Sequence, residues 1–221
     1  MSHQLFVLLA EATLDTLYMV ALSGAIGTAL GLPLGVWLAT SGRGEMLAAP
    51  LFNRIGGVLV NATRSTPFII LVVAIIPFTR LVAGTSIGTS AAIVPLTVAA
   101  VPFIARIVET AIREVDRGLV EAAEAMGATP YQIIAKVLVP EALPGILLGL
   151  TLAIVSLIGY SAMVGAVGGG GLGDLGIRYG YQRFMPEVMA IVVVLLIVLV
   201  QGIQSLGERL ARRVNKRLRT A

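Results

Sequence analysis

Few residues in this sequence could do chemistry, and their types and spacing narrow what that chemistry is. One His stands near the start, at position 3, and there is no Cys. Thiolate nucleophiles, thiolate metal sites and disulfide staples therefore have nothing to be built from. Arg106, Glu109 and Arg113 fall at three- and four-residue spacing next to an apolar run, which suits interfacial salt bridges better than a proton relay. No carboxylate is paired with a base inside an apolar run, so neither a catalytic site nor a metal or cofactor site is expected. Residues 165–173 read GAVGGGGLG, but this stretch lacks the Lys of a phosphate-cradling loop and follows an apolar helix, not a strand. It reads as a flexible external helix end, or as close packing of the small-x-x-x-small kind through Gly165 and Gly169. ATP, if it drives this protein, must be hydrolysed by a partner.

What remains is a set of polar and soft residues inside an apolar run: Ser156, Gly159, Tyr160, Ser161 and Met163. In a membrane, hydroxyls are best tolerated toward protein or a cavity, and a thioether and a ring can close a narrow gap. These five are the candidate translocation path and gate, with Met163 and Tyr160 as the closing groups. Ordinary helix packing is the competing account of the same residues. Ser65, Thr66 and Pro67 could add an irregular helix start near Arg64. Prolines 67, 77, 95 and 102 either hinge their helices or only kink them.

A second polar constellation lies between two apolar stretches, in EAAEAMGATPYQIIAKVLVP from Glu121 to Pro140. Asp116 can cap a first helix, which stops at Gly127, a residue suited to the left-handed conformation. Thr129 caps a second helix, with Pro130 in its first turn and Gln132 completing a capping box. Pro140 is expected to end it. Leu119, Ala122, Ala123 and Met126 share a face of the first helix, with Glu121 and Glu124 turned away, while Ile133, Ile134, Val137 and Leu138 form the apolar strip of the second. Three roles fit such a hairpin: an amphipathic loop on the membrane surface, a DNA-binding helix-turn-helix, or a docking element for a soluble subunit. The DNA role would rest on Lys136 alone, too little cationic charge for phosphate contacts, so no nucleic-acid partner is expected.

The elements that must hold these residues follow from composition. Apolar residues make up 57% of 221 and charged ones 13%, against roughly 45–50% and 25% in soluble domains. A chain of this size cannot wrap that much apolar surface in a polar shell. It is an all-α, polytopic membrane protein with five transmembrane helices at about 13–40, 55–78, 87–106, 144–167 and 186–206, each near the ~20 residues a bilayer demands. The first is expected to break near Gly31 and Pro33; the second is the least clear, since it must include Arg64. The whole chain, 1–221, forms a single transmembrane domain, with one large polar loop at about 107–143. The acidic, base-free N-terminus lacks the features of a cleaved leader. With the C-terminus inside, 13 of the 16 Lys and Arg are cytoplasmic and Arg80, Arg178 and Arg183 are not, which satisfies the positive-inside rule. The N-terminus then lies outside, the hairpin inside, and the basic tail from Arg209 serves as a stop-transfer and membrane-lipid anchor.

The hairpin resembles the EAA loop of bacterial ABC importer permeases: EAA, three residues, Gly, nine residues, then I-x-L-P. Here Glu121-Ala122-Ala123, Gly127 and Val137-Leu138-Val139-Pro140 stand at that spacing, with Val at both the Ile and Leu positions. RSTPFIILVVAIIPFTR, GTSIGTSAAIVPLTVAAVPFIAR, MGATPYQIIAKVLVPEALPG and GYSAMVGAVGGGGLG further resemble the methionine branch of that family. The resemblance covers most of the chain between Arg64 and Tyr181. It implies the type I importer permease fold, a homodimer of permeases, two cytoplasmic ATPase subunits that bind the ATP, and an external methionine-binding protein. It also implies inward transport by alternating access, with Glu121, Ala122, Ala123 and Gly127 as ATPase-coupling positions. A permease for another small solute is the nearest alternative function; a standalone channel or a membrane-embedded enzyme is more remote.

Overall fold

The computed structural model describes residues 3–214, and among them every regular element is helical. The N-terminal Met1 and Ser2, and the part of the basic tail from residue 215 on, lie outside the described residues. Four helices are long and apolar enough to cross a membrane, and five crossings result if a broken pair counts as one. The chain is therefore a multi-pass membrane protein.

Helix α1 runs His3–Thr40 without a break, contrary to the interruption expected near Gly31 and Pro33. Proline removes one backbone donor, but the lost bond is outweighed by packing on the next long helix, α5 (Thr89–Arg113). A Cβ at Gly31 would meet the Val101 carbonyl at 2.9 Å, and one at Gly35 would meet the Ala105 carbonyl at 2.4 Å. These glycines let two backbones approach to a distance no side chain permits, and that contact carries the helix across Pro33.

The second crossing is not one helix. α2 (Pro50–Ser65) stops before Pro67, which takes an extended conformation, and α3 (Phe68–Ala74) starts after it. The residue before a proline is pushed out of the helical region, so the break falls at Thr66. A further break at Ile75 precedes α4 (Ile76–Ala83), with Pro77 in its first turn. Pro95 and Pro102, by contrast, lie within the continuous α5. Pro67 and Pro77 thus stand at helix breaks, just before α3 and in the first turn of α4, whereas 95 and 102 do not.

The hairpin helices are α6 (Arg117–Ala125) and α7 (Pro130–Ile133). Pro140 does not end the second one. A π-turn over Ile134–Leu138 leads directly into α8 (Val139–Ala166), so residues 130–166 are one helical run. The wide turn answers the proline. In an α-helix the N–H missing at Pro140 would have bonded the Lys136 carbonyl and the ring would press on it; with the Val139 N–H reaching back to Ile134, the register has already shifted. After α8 come α9 (Gly171–Leu175), a second π-turn (Gly176–Tyr181) and α10 (Pro186–Val214).

Contacts gather the chain into two units. One holds the described residues up to Gly27, Thr66–Ala100 and Ala153–Gln204; its core packs Leu9 and Ala12 against Leu172, Leu175, Val188 and Val192. The other holds Thr28–Ser65, Val101–Leu152 and the described residues from Ser205 on. Its core includes Leu38, Ile104, Val108, Ile133 and Ile146, each almost wholly buried.

Candidate coupling hairpin and translocation face

The hairpin is built by local chemistry. The Asp116 carboxylate accepts from the Gly118 N–H at 2.8 Å and starts α6. Gly127, at φ +77°, turns the chain at its end, and the Ala128 N–H closes on the Ala123 carbonyl at 3.1 Å. Thr129 Oγ1 then accepts from the Gln132 N–H at 3.4 Å, while Gln132 Oε1 accepts from the Thr129 N–H at 2.9 Å. This is the reciprocal capping box that the sequence predicts.

Burial divides the hairpin. Ala123, Ile133 and Leu138 face the unit's interior at 4%, 1% and 5% exposure. Glu121, Ala122 and Gly127 are exposed, together with Leu119, Met126 at 81% and Tyr131 at 75%. The face of α6 predicted to be apolar is therefore not covered by the other described residues: only Ala123 turns inward, and Leu119, Ala122 and Met126 are presented outward. Of the four candidate coupling positions, Glu121, Ala122 and Gly127 are exposed and Ala123 is buried.

Close by, Glu109 is buried at 5% exposure on α5 and held by two cations. Arg106 Nη1 lies 2.8 Å from one carboxylate oxygen and Arg113 Nη2 2.9 Å from the other. Arg106 also donates to Asn61 of α2, and the Arg64 guanidinium lies 5.8 Å from the Phe103 ring centroid. The expected salt bridges form, and they tie α2 to α5.

The five path candidates separate. Gly159 and Met163 lie on one exposed stripe of α8, continued by Ala166 and Val167; nothing stands within 4 Å of a Cβ built at Gly159. Tyr160 is half-buried and stacks on Phe68, with centroids 4.3 Å apart and planes at 13°. Ser156 is half-buried on the same side of the helix. Ser161 turns to the opposite side, is 2% exposed, and donates to the Ile158 carbonyl at 2.8 Å. Phe68, the partner of candidate residue Tyr160, is not among those the sequence singles out. Its signal is its place directly after Thr66-Pro67, where the helix break aims the first ring of α3 at Tyr160. The resulting surface carries a ring pair, a thioether and glycine, with no charge on α8 between residues 153 and 166.

The glycine segment is an ordered joint and not a flexible end. Gly168, Gly170 and Gly171 all have positive φ, the Gly88 N–H donates to the Gly168 carbonyl at 2.9 Å, and the Leu172 N–H donates to the buried Thr16 Oγ1 at 2.9 Å. A Cβ at Gly171 would lie 2.7 Å from that same oxygen, so glycine is required for this approach. Gly165 packs against Gly173 and Asp174 in the same way, while a Cβ at Gly169 would run into Val164 of its own segment.

The family described as binding-protein-dependent transport system inner membrane component matches residues 31–220. A probable D-methionine transport system permease protein of Vibrio cholerae is 60% identical over 210 residues, covering 95% of this chain and 93% of the relative. The D-methionine transport system permease protein of Escherichia coli K12 is 52% identical over 165 residues, 75% of this chain and 76% of its own. Among solved structures, a chain of the MetNI methionine ABC transporter in inward-facing conformations superposes with a TM-score of 0.95 at 51% identity, covering 98% of this chain and 100% of that one. An amino acid ABC transporter solved with histidines gives 0.79 at 21% identity, a likeness of fold alone.

Proposed function

This chain belongs to the family of binding-protein-dependent transport inner-membrane components, and on that premise we propose that it is the permease subunit of an ATP-driven importer of methionine. The observation that carries the reading is the capped hairpin at residues 117–138, whose outward face is left exposed among the described residues. The relatives named as D-methionine permeases support the substrate.

In this reading two copies of the permease enclose the path, and two cytoplasmic ATPase subunits, which bind the ATP, seat on Glu121, Ala122 and Gly127 with Ala123 anchoring the helix. An external binding protein delivers the amino acid. The N-terminus is outside and the hairpin and C-terminus are cytoplasmic, as the Lys and Arg distribution demands. Closure of the ATPases draws the hairpins together and opens the path outward; hydrolysis resets it. Ser156, Gly159, Tyr160 and Met163 face the path, with Phe68 backing the Tyr160 ring. A neutral, soft lining suits a thioether side chain, which gains from sulfur–aromatic contact. Ser161 is left out, because its hydroxyl is already used within α8.

Uptake of labelled methionine into a strain lacking its own permease, with the ATPase and binding protein supplied, tests the assignment. Expression of this chain restores uptake and Gly127→Arg abolishes it. Restoration of a different amino acid with none of methionine would overturn the substrate; full uptake by Gly127→Arg with the ATPase still bound would overturn the coupling role.

A further inference from the structure

Beside α6 lies a cleft of about 670 Å³. Arg113 of α5, paired with Glu109, is part of its wall, and its five other charges come from two segments far apart in sequence: Arg117, Glu121 and Glu124 of the hairpin, and Arg43 and Glu45 of the loop joining α1 to α2. That loop is fixed in place. Asn53 Nδ2 donates to the Leu38 carbonyl at 2.7 Å and to Ser41 Oγ at 2.9 Å, the Leu47 N–H closes on Thr40 at 3.0 Å and the Ala49 N–H on Ser41 at 2.9 Å. Ser41 is wholly buried, while Arg43, Gly44 and Glu45 are held out at the tip.

Among the described residues these five charges make no ion pair with one another or with any other group. Arg117 and Glu121 do not pair even though they stand four apart on one helix, where such pairs ordinarily form. A rigid cleft ringed by open charges of both signs is suited to a partner that brings both signs to it.

We propose that the Arg43–Glu45 loop is a second docking element and forms, with α6, a socket for a protruding segment of the ATPase subunit. This rests on the coupling reading of the hairpin and extends it to a part of the chain the EAA pattern does not reach. The inserted segment carries a basic side chain for Glu45, Glu121 and Glu124 and an acidic one for Arg43 and Arg117. Three arginines against three glutamates leave the ring neutral, and one of the arginines, Arg113, is already engaged by Glu109; this is no cationic cluster of the kind that draws an anionic lipid headgroup.

The chain has no native Cys, so Glu45→Cys and Ala122→Cys each give a unique reporter in the full permease. Maleimide labelling is timed in nanodiscs of neutral or anionic lipid, with and without the cognate ATPase. The ATPase slows both positions by about tenfold or more, as for a site open less than a tenth of the time. The charge swap Arg43→Glu with Glu45→Lys lowers co-purification of the ATPase, whereas Arg54→Glu, exposed but outside the cleft, does not. Protection of position 122 without position 45 would overturn the socket and leave the hairpin reading intact. Protection of neither would sink that reading itself. Slowing at position 45 by anionic lipid alone, or an equal effect of Arg54→Glu, would also overturn the socket.

Discussion

Gly35 and Gly57 are chemically identical and stand in helices of the same unit, yet a methyl group added at each meets opposite surroundings. At Gly35 it would lie 2.4 Å from the Ala105 carbonyl oxygen and 2.6 Å from Val108 Cβ, while at Gly57 nothing stands within 4 Å. A backbone carbonyl cannot swing aside as a long side chain can. Gly35→Ala is therefore expected to lower stability by about 1–3 kcal/mol, the usual range for overpacking. Gly57→Ala is expected to be neutral or to gain up to about 1 kcal/mol from helix propensity. Melting temperatures of the two purified variants check this; equal shifts would show that the α1–α5 contact is looser than described. The sequence makes a glycine visible but not which glycine is pressed, because the pressing atom lies about 70 residues away in α5. Glu109 was more legible. Its two arginines are three and four positions away, and a helix brings such neighbours together by its own geometry.

The caps of α6 and α7 were readable for that same reason: each bond spans two or three residues and needs nothing from the rest of the chain. Thr129→Ala leaves the Gln132 N–H without its acceptor, at a cost of about 1 kcal/mol. Amide exchange over residues 131–133 should rise about fivefold; an unchanged rate would mean the helix is set wholly by burial of Ile133. What local reasoning could not read was the end of α7. Pro140 looks like a stop because an α-helix there lacks a donor, but a π-turn five residues long absorbs the fault, and π-turns are frequent at functional sites. The same holds for Pro33, carried by tertiary packing, whereas Pro67 has no such support and breaks its helix.

For the molecule as a whole, composition alone was sufficient to assign the membrane class, since it depends on sums and not on contacts. The number of crossings was legible but their form was not, because a broken crossing and a straight one have the same hydropathy. Orientation is open to direct test. In intact cells with a permeabilised outer membrane, Gln4→Cys is expected to react with an impermeant maleimide. Glu124→Cys, on the hairpin, is expected to react only once the inner membrane is opened. The reverse pattern would invert the topology and remove the hairpin from the ATPase.

The bond from the Leu172 N–H to Thr16 Oγ1 joins residues 156 positions apart. A ribosome adds about 5–20 residues per second, so Thr16 emerges roughly 8–30 s before its partner exists. Throughout that interval the notch that Gly171 will fill beside Thr16 and Met19 is unfilled. Helix α1 is thus completed late, and its final shape is set only after the 156 positions that separate Thr16 from Leu172 have been made.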